Sequence, residues 1–408
     1  MAKNIIAGLD VGTSNVQVVV TERREGGLRV LGCGSAPTVG IRKGAVVDIE
    51  DVAESIRAAV VAAEKNAGVP FDSVYLSFGG CGLGVASSKG VVAVSRADNE
   101  ITDADIARAV SAAEASLPQQ PNRELLHEIP VLFTVDKDTH VKNPVGMVGS
   151  RLEAQVIFVT AFTPHLKNLV RSVELAGLSV DDITAAPLAL ARSILTKRQK
   201  EIGVMVMDLG SETASVAVFE DGGLVSAGVF PIGSGHITND IAIGFQSPLP
   251  IAERIKIDHG TLSVQLAASR KDIVRLGEYV QGDPTLFSRR ELMEIIEARL
   301  KDIYGLVDKH LRKIGRSGLL PAGVVLVGGG SNLEGIIDFT KHELRLPAEL
   351  GALPVSFRED AQQLDASWAV VTGLCLLANE SEKKKSYVPN MSHDFFKKIM
   401  NWVRPLIP

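Results

Sequence analysis

With 408 residues, 22% of them charged, and a formal net charge of -5, the chain is long enough for two or three domains and lacks the basic excess of a nucleic-acid binder. Three scattered cysteines, Cys33, Cys81 and Cys375, show neither a disulfide framework nor the C-x-x-C spacing of a zinc site, which fits a reducing compartment. The opening stretch MAKNIIAGLDVGTSNVQVVV is broken by Gly8, Asp10 and Gly12, so it reads neither as a signal peptide nor as a membrane span.

From Asn4 the chain reads NIIAGLD, VGTSN, VQVVVTE: an apolar run, a turn of small polar residues and a β-branched run, the pattern of a β-hairpin. The strand SVYLSFGG follows, and then, from about Cys81 to Phe162, a stretch of short strands (GVVAVSRA, HEIPVLFTVD, RLEAQVIFVT) and one helical run, DADIARAVSAAEAS, which predicts a small α+β insert. At Ile202 the first pattern returns as IGVMVMD, LGSET, ASVAVFE, so that Asp208 aligns with Asp10, Gly210 with Gly12 and Ser211 with Thr13. One such turn is ordinary turn chemistry, but two in like settings point to phosphate: small residues let backbone N–H groups and hydroxyls approach it, and an acid on each side can hold a hydrated Mg²⁺.

PIGSGHITNDIA places Gly233, Ser234 and Gly235 before a helix, another backbone-donor loop. AERIKIDHG puts Glu253 and Lys256 three apart on one helical face, either as a solvated ion pair or as a pair reaching a ribose or base edge. SRRELMEIIEARLKDIYGLVDKHLRKIG opens with a capping box, Ser288 and Glu291, and keeps apolar residues at helical spacing from Leu292 to Ile314, which predicts a long helix closed by Gly315. AGVVLVGGGSNLEGI predicts a buried strand over Gly323 to Val327, three glycines at Gly328 to Gly330, and a helix starting at Ser331 or Asn332. The bend suits a flat purine, although a plain strand-to-helix turn has the same look.

In this order, from about residue 4 to 380, the two D-x-G-[ST] turns, the G-x-G loop, the E-x-x-K pair and the GGG-S-x-L turn resemble the actin-like ATPase superfamily. The resemblance implies an α/β, actin-like (ribonuclease H-like) two-domain ATPase fold that encloses ATP and Mg²⁺. It implies phosphate contacts from Gly12, Thr13, Ser14, Asn15, Gly210, Ser211, Glu212 and Thr213, and Mg²⁺ held through water by Asp10 and Asp208. Nucleoside contacts would come from Gly233, Ser234, Gly235, Glu253, Lys256, Gly328, Gly329, Gly330 and Asn332.

The insert, with HEIPVLFTVD and VKNPVGMVGSRLEA, is similar to that of the FtsA family of bacterial cell-division proteins. That resemblance implies a homopolymer on the cytoplasmic face of the cell membrane at the division site. It would bind the C-terminal peptide of the tubulin-like protein FtsZ and work with other division proteins; no nucleic-acid partner is expected. Arg289, Arg290 and Arg299 on the long helix become candidates for acidic groups of that peptide, or equally for a charged outer helix face. The implied layout is domain one over 1–80 and 163–200, interrupted by the insert over 81–162, and domain two over 201–245 and 318–379, with a second subdomain over 246–317. A linker over 380–393 and an amphipathic helix over 394–408 complete it.

One departure bears on mechanism. Many actin-like ATPases carry a Glu before the Pro of the crossover after the last strand of domain one, whereas ITAAPLALAR has Ala186 before Pro187. Without that carboxylate one means of orienting water is missing, so ATP binding with weak or conditional hydrolysis is expected.

The chain ends DFFKKIMNWVRPLIP. At about 100° per residue, Phe395, Phe396, Ile399, Met400, Trp402 and Val403 share an apolar arc of roughly 160°, and Lys397, Lys398 and Arg404 fall on the polar side. At about 16 Å this segment is too short to span a bilayer of about 30 Å but suits its interface, where each basic residue contributes on the order of 1 kcal/mol on anionic lipid. A helix docked on the protein's own surface is the alternative. Rival readings are a PilM-like pilus-assembly protein, which the tail argues against, and a small-molecule kinase, for which the cleft offers no separate carboxylate base.

Overall fold

The computed structural model describes residues 4–385 apart from 119, 264–272, 281, 283 and 362–363. The C-terminal membrane segment expected from Phe395 to Arg404 lies outside the described residues.

The first half begins with β1 (Ile5–Val11), β2 (Asn15–Arg24), β3 (Gly27–Pro37), the short β4 (Ile41–Arg42) and β5 (Ala45–Val46), α1 (Ile49–Ala67) and β6 (Ser73–Phe78). The insert follows as β7 (Leu83–Ala93), α2 (Asp103–Ala115), β8 (Arg123–Val135), β9 (Thr139–Val141) and β10 (Arg151–Phe162); α3 (Thr163–Leu175), β11 (Ser179–Ala185), α4 (Ala186–Ile194) and α5 (Lys197–Ile202) lead out of it. The second half runs β12 (Val204–Leu209), β13 (Ala214–Glu220), β14 (Gly223–Phe230), α6 (Ser234–Gly244), α7 (Leu249–His259), β15 (Ile273–Arg275), β16 (Leu286–Ser288), α8 (Arg289–Lys313), β17 (Val324–Val327), α9 (Ile336–Leu344), β18 (Ala348–Leu350), α10 (Val355–Asp360) and α11 (Ala369–Lys385).

The two halves repeat one topology. Each holds a five-stranded sheet, ordered β11-β6-β1-β2-β3 and β14-β13-β12-β17-β18, in which an antiparallel meander meets parallel strands. The register carries the repeat to the acids: Asp10 faces Gln17 across β1 and β2, and Asp208 faces Ser215 across β12 and β13. The partner strands β2 and β13 are apolar on both faces, Val18, Val19 and Val20 in one and Val216, Ala217 and Val218 in the other all being buried, because helices cover both sides of each sheet. The insert is an antiparallel sheet ordered β7-β10-β8-β9, with α2 packed on it through Ala109, Val110 and Ala113.

Helices α4 and α11 pack against each other, the Ser193 hydroxyl donating to the Ala369 carbonyl at 2.7 Å. Their backbones approach so closely that a Cβ on Gly373 would lie 1.8 Å from the Ala189 carbonyl oxygen, so only glycine fits. The predicted long helix is α8. Ser288 caps it, accepting from the Glu291 N–H at 3.2 Å while Glu291 accepts from the Ser288 N–H at 2.8 Å, and Leu292, Ile296, Leu300, Ile303, Val307 and Leu311 are buried.

Two expectations are corrected. The expected linker does not begin at residue 380, because α11 continues to Lys385: Arg192 pairs with Glu380, the Ser381 hydroxyl donates to the Leu377 carbonyl at 2.9 Å, and the Glu and Lys of NESEKKK are good helix formers. From the second of the three glycines the chain makes a single 3-10 turn, Gly329–Asn332, and α9 starts only at Ile336, because Gly335 with φ +84° interrupts the path. Among the described residues no helix is long and apolar enough to cross a membrane.

Candidate functional site

Two hairpin turns face each other between the halves. In the first, the Gly12 N–H donates to the Asn15 carbonyl at 3.1 Å, which presents Thr13 and Ser14 at the tip. The second is pinned from behind by the start of α6: the Ser234 N–H reaches the Gly210 carbonyl at 2.8 Å and the Gly235 N–H reaches the Ser211 carbonyl at 2.7 Å. The G-x-G loop thus buttresses the second turn, the first N–H groups of α6 being spent on its carbonyls.

Glu253 and Lys256 form the expected pair at 2.8 Å. They do more than face solvent: the Lys256 ammonium donates to the Thr238 hydroxyl at 2.8 Å and to the Ser234 carbonyl at 3.2 Å, and Thr238 in turn donates to Glu253. The pair therefore locks α7 onto α6. Lys256 is 12% exposed and Glu253 44%, so Glu253 is the member with acceptor capacity to spare for a ligand.

The glycine bend follows β17. Gly328 has φ +84°, and a Cβ there would stand 2.1 Å from the Asp208 Oδ1, so both its conformation and its room exclude a side chain. A cleft of about 700 Å³ joins these parts, lined by Asp10, Gly12, Thr13, Ser14, Asn15, Asp208, Gly210, Ser211, Thr213, Ser234, Glu253, Lys256, Gly328, Gly329, Gly330 and Asn332. That volume suits a ligand of nucleotide size. Gly235 and Glu212 face an adjoining opening, together with Arg42 and Lys43. Gly233, the residue before α6, backs onto the carbonyls of Gly210 and Ser211.

Ser77, Asp365, Ser367 and Gln17 are among the polar residues of the cleft and the chamber behind it that no sequence motif marked. Ser77 lies next to last in β6, whose parallel register pairs Leu76 with Leu9 and so brings the Ser77 hydroxyl to donate to Asp10. Asp365 and Ser367 return from the far end of the chain, with the Asp365 carboxylate accepting from the Ser367 N–H at 2.8 Å. Gln17 faces the cleft from β2. The strand periodicity of SVYLSF was the only available hint, for Ser77 alone.

Behind Asp10 lies a chamber of about 70 Å³, lined among others by Ser77, His165 and Ala186, and large enough for water. The wall at Ala186 offers no carboxylate. Its position is set from the insert, because the Ala185 N–H donates to the His127 Nε2 at 2.9 Å, and burial pulls that imidazole down to about 3 and keeps it neutral.

The two acids are electrostatically uncomfortable. Burial raises the Asp10 carboxyl above its ordinary 3.8, with the Ser77 hydrogen bond acting the other way, and burial together with the Asp10 charge raises Asp208 to about 7. A dication would relieve both. Among the described residues no group of three or more His, Cys, Asp or Glu forms an all-protein metal cage. A pair of carboxylates beside hydroxyls fits Mg²⁺, which keeps waters and takes phosphate oxygens.

The three arginines differ in what holds them. Arg299 is bound in bidentate fashion by Asp240, at 2.6 and 2.8 Å, and also reaches Asp302. Arg290 is 73% exposed and, among the described residues, meets Glu294 on its own helix; Arg289 lies half-buried in the same first turn.

Comparison with known proteins bears on the family and the fold. Residues 205–370 match the family model of the cell division protein FtsA, and residues 82–160 match that of the SHS2 domain inserted in FtsA. The chain is 35% identical to the cell division protein FtsA of Borreliella burgdorferi over 385 residues, covering 94% of this chain and 93% of that protein. It is 31% identical to FtsA of Escherichia coli strain K12 over 417 aligned positions, covering 98% of each. Among solved structures, the PilM–PilN type IV pilus biogenesis complex aligns with a TM-score of 0.67 at 18% identity, covering 91% of this chain and 97% of the other. MreB5 of Spiroplasma citri bound to ADP aligns with a TM-score of 0.55 at 14% identity, covering 95% and 99%. The fold is thus the actin-like one that the paired hairpins imply, and the chain belongs to the cell division protein FtsA family.

Proposed function

We propose that this cell-division protein binds ATP with Mg²⁺ in the cleft, hydrolyses it slowly or conditionally, polymerises, and anchors FtsZ to the cytoplasmic face of the membrane through its C-terminal helix. The observation that carries the nucleotide part is the pairing of Asp10 and Asp208 between two glycine-bearing turns, in a cleft of about 700 Å³. The ADP-bound MreB5 of the same fold supports it.

Asp10 and Asp208 would hold the hydrated Mg²⁺, which supplies charge neutralisation for the phosphates. The turn N–H groups and hydroxyls orient the phosphate chain, and the Gly328 to Gly330 bend gives a flat base its backbone wall. The chamber at Ala186 admits water, and position 186 supplies no carboxylate to orient it, which supports slow turnover.

For FtsZ, the support is a basic turn beside apolar surface. Arg290 projects from the first turn of α8, and Leu286 and Ile273 on the adjoining strands are 58% and 48% exposed. Such a surface suits a peptide with both acidic and apolar residues. The membrane part rests on the amphipathic pattern of Phe395 to Arg404, and a helix so short holds firmly only when several act together, as in a polymer.

Calorimetric titration of ATP into the full chain, with Mg²⁺ and with EDTA, tests the cleft. Saturable binding strengthened by Mg²⁺ is the expected result, and no saturable binding in either condition overturns the nucleotide reading.

A further inference from the structure

Glu212 bridges the two halves at the mouth of the cleft. Its carboxylate accepts from the Lys43 N–H at 2.5 Å, and its own N–H donates to the Thr13 hydroxyl at 3.2 Å. One residue of the second half thus binds two loops of the first, 169 and 199 residues away in sequence. We propose that Glu212 is a positioning residue that retains the nucleotide by latching the Ile41–Val46 hairpin over the phosphate side of the cleft. This rests on the nucleotide reading above and deepens it.

A second observation points to the same hairpin. Lys43 has φ +50°, a left-handed conformation unusual for a residue with a Cβ. It is held from both sides, its N–H by Glu212 and its carbonyl by the Cys81 thiol at 3.1 Å, while the neighbouring Gly44 backbone lies against Gly80. Positive φ at both Lys43 and Gly44 is what a two-residue hairpin turn requires, and these contacts fix that turn in place.

The hairpin also has the right place. Ile41, Gly44 and Val46 wall the chamber beside Asp10 and Asp208, and Arg42 and Lys43 line, with Glu212, an opening of about 510 Å³. A carboxylate within a phosphate-binding turn would repel a polyphosphate if it faced the ligand. Bound to Lys43, it is drawn aside and leaves the turn's donors for phosphate oxygens. The latch governs release more than arrival, because an open hairpin admits the ligand and a closed one must move before the ligand leaves.

Stopped-flow kinetics of a fluorescent N-methylanthraniloyl ATP analogue with Mg²⁺, on the full chain, tests this. Glu212→Ala is expected to release the analogue about tenfold faster or more, with association changed less than about twofold, since a hydrogen bond to a charged group is lost. Glu212→Gln, which keeps an acceptor oxygen, should stay within about threefold of the unsubstituted protein. Hydrogen exchange at the Lys43 amide without nucleotide should be slow in the unsubstituted chain and fast in Glu212→Ala. The proposal is overturned if Glu212→Ala releases the analogue at the original rate, or if Glu212→Gln is as fast as Glu212→Ala. Should the unsubstituted chain bind no analogue, the nucleotide reading and retention through it both fall, and exchange at Lys43 reports only whether the cross-cleft contact exists.

Discussion

Replacing Asp208 with Asn removes one of two carboxylates that burial and mutual repulsion hold partly un-ionised. An acid whose folded pKa is raised contributes its stability below the unfolded value, and that contribution is lost as pH rises through the folded value. For Asp208 the window runs from 3.8 to about 7. The whole rise corresponds to about 4 kcal/mol, of which on the order of 2 to 3 kcal/mol falls between pH 5 and pH 8. The side chain borders an open cleft, so solvent reduces this, and about 2 kcal/mol is the expected gain for Asp208→Asn at pH 8 relative to pH 5. Thermal melts without metal or nucleotide should therefore show the variant a few degrees above the parent at pH 8 and near it at pH 5. The same variant should lose the Mg²⁺-dependent part of ATP affinity. Equal melting differences at the two pH values, or an undiminished Mg²⁺ effect, would refute the reasoning.

Gly328→Ala should cost about 2 kcal/mol or more and abolish ATP binding, because φ +84° is strained for alanine and its Cβ would collide with the Asp208 carboxylate; thermal melts and titration calorimetry read both. His127 is buried and neutral, with a folded value of about 3 against 6.5 free, so its contribution is present above pH 6.5 and is lost as pH falls toward 3. His127→Gln should accordingly show a shallower fall in urea midpoint between pH 7 and pH 4 than the parent. Phosphate release from the chain with Mg-ATP should stay below about one per second, and steady turnover above that rate contradicts the role given to Ala186.

Much of this architecture was legible because its signals are local. The turns at Asp10 and Asp208 combine alternating apolar strands with Gly and hydroxyl residues in a few consecutive positions, and the spacing of Glu253 and Lys256 alone puts them on one helical face. The capping box of α8 works the same way. What stayed hidden depends on strands and chain ends that meet across long separations: Ser77 reaches Asp10 from 67 residues away, and His127 holds Ala185 from 58. No spacing rule announces such meetings. The start of the linker was misplaced for another reason, since NESEKKK is polar, which speaks of exposure, while Glu and Lys also favour helix. The bond from Glu212 to Lys43 is equally illegible, because a backbone N–H in a two-residue turn carries no side-chain identity.

Flotation with anionic vesicles, FtsZ and Mg-ATP tests the proposed tethering role most directly. The full-length chain should carry FtsZ up with the vesicles, and a chain ending at Tyr387 should leave FtsZ at the bottom of the gradient. If the shortened chain carries FtsZ as well as the full one, or if the full chain does not float, the segment after Tyr387 is not the tether.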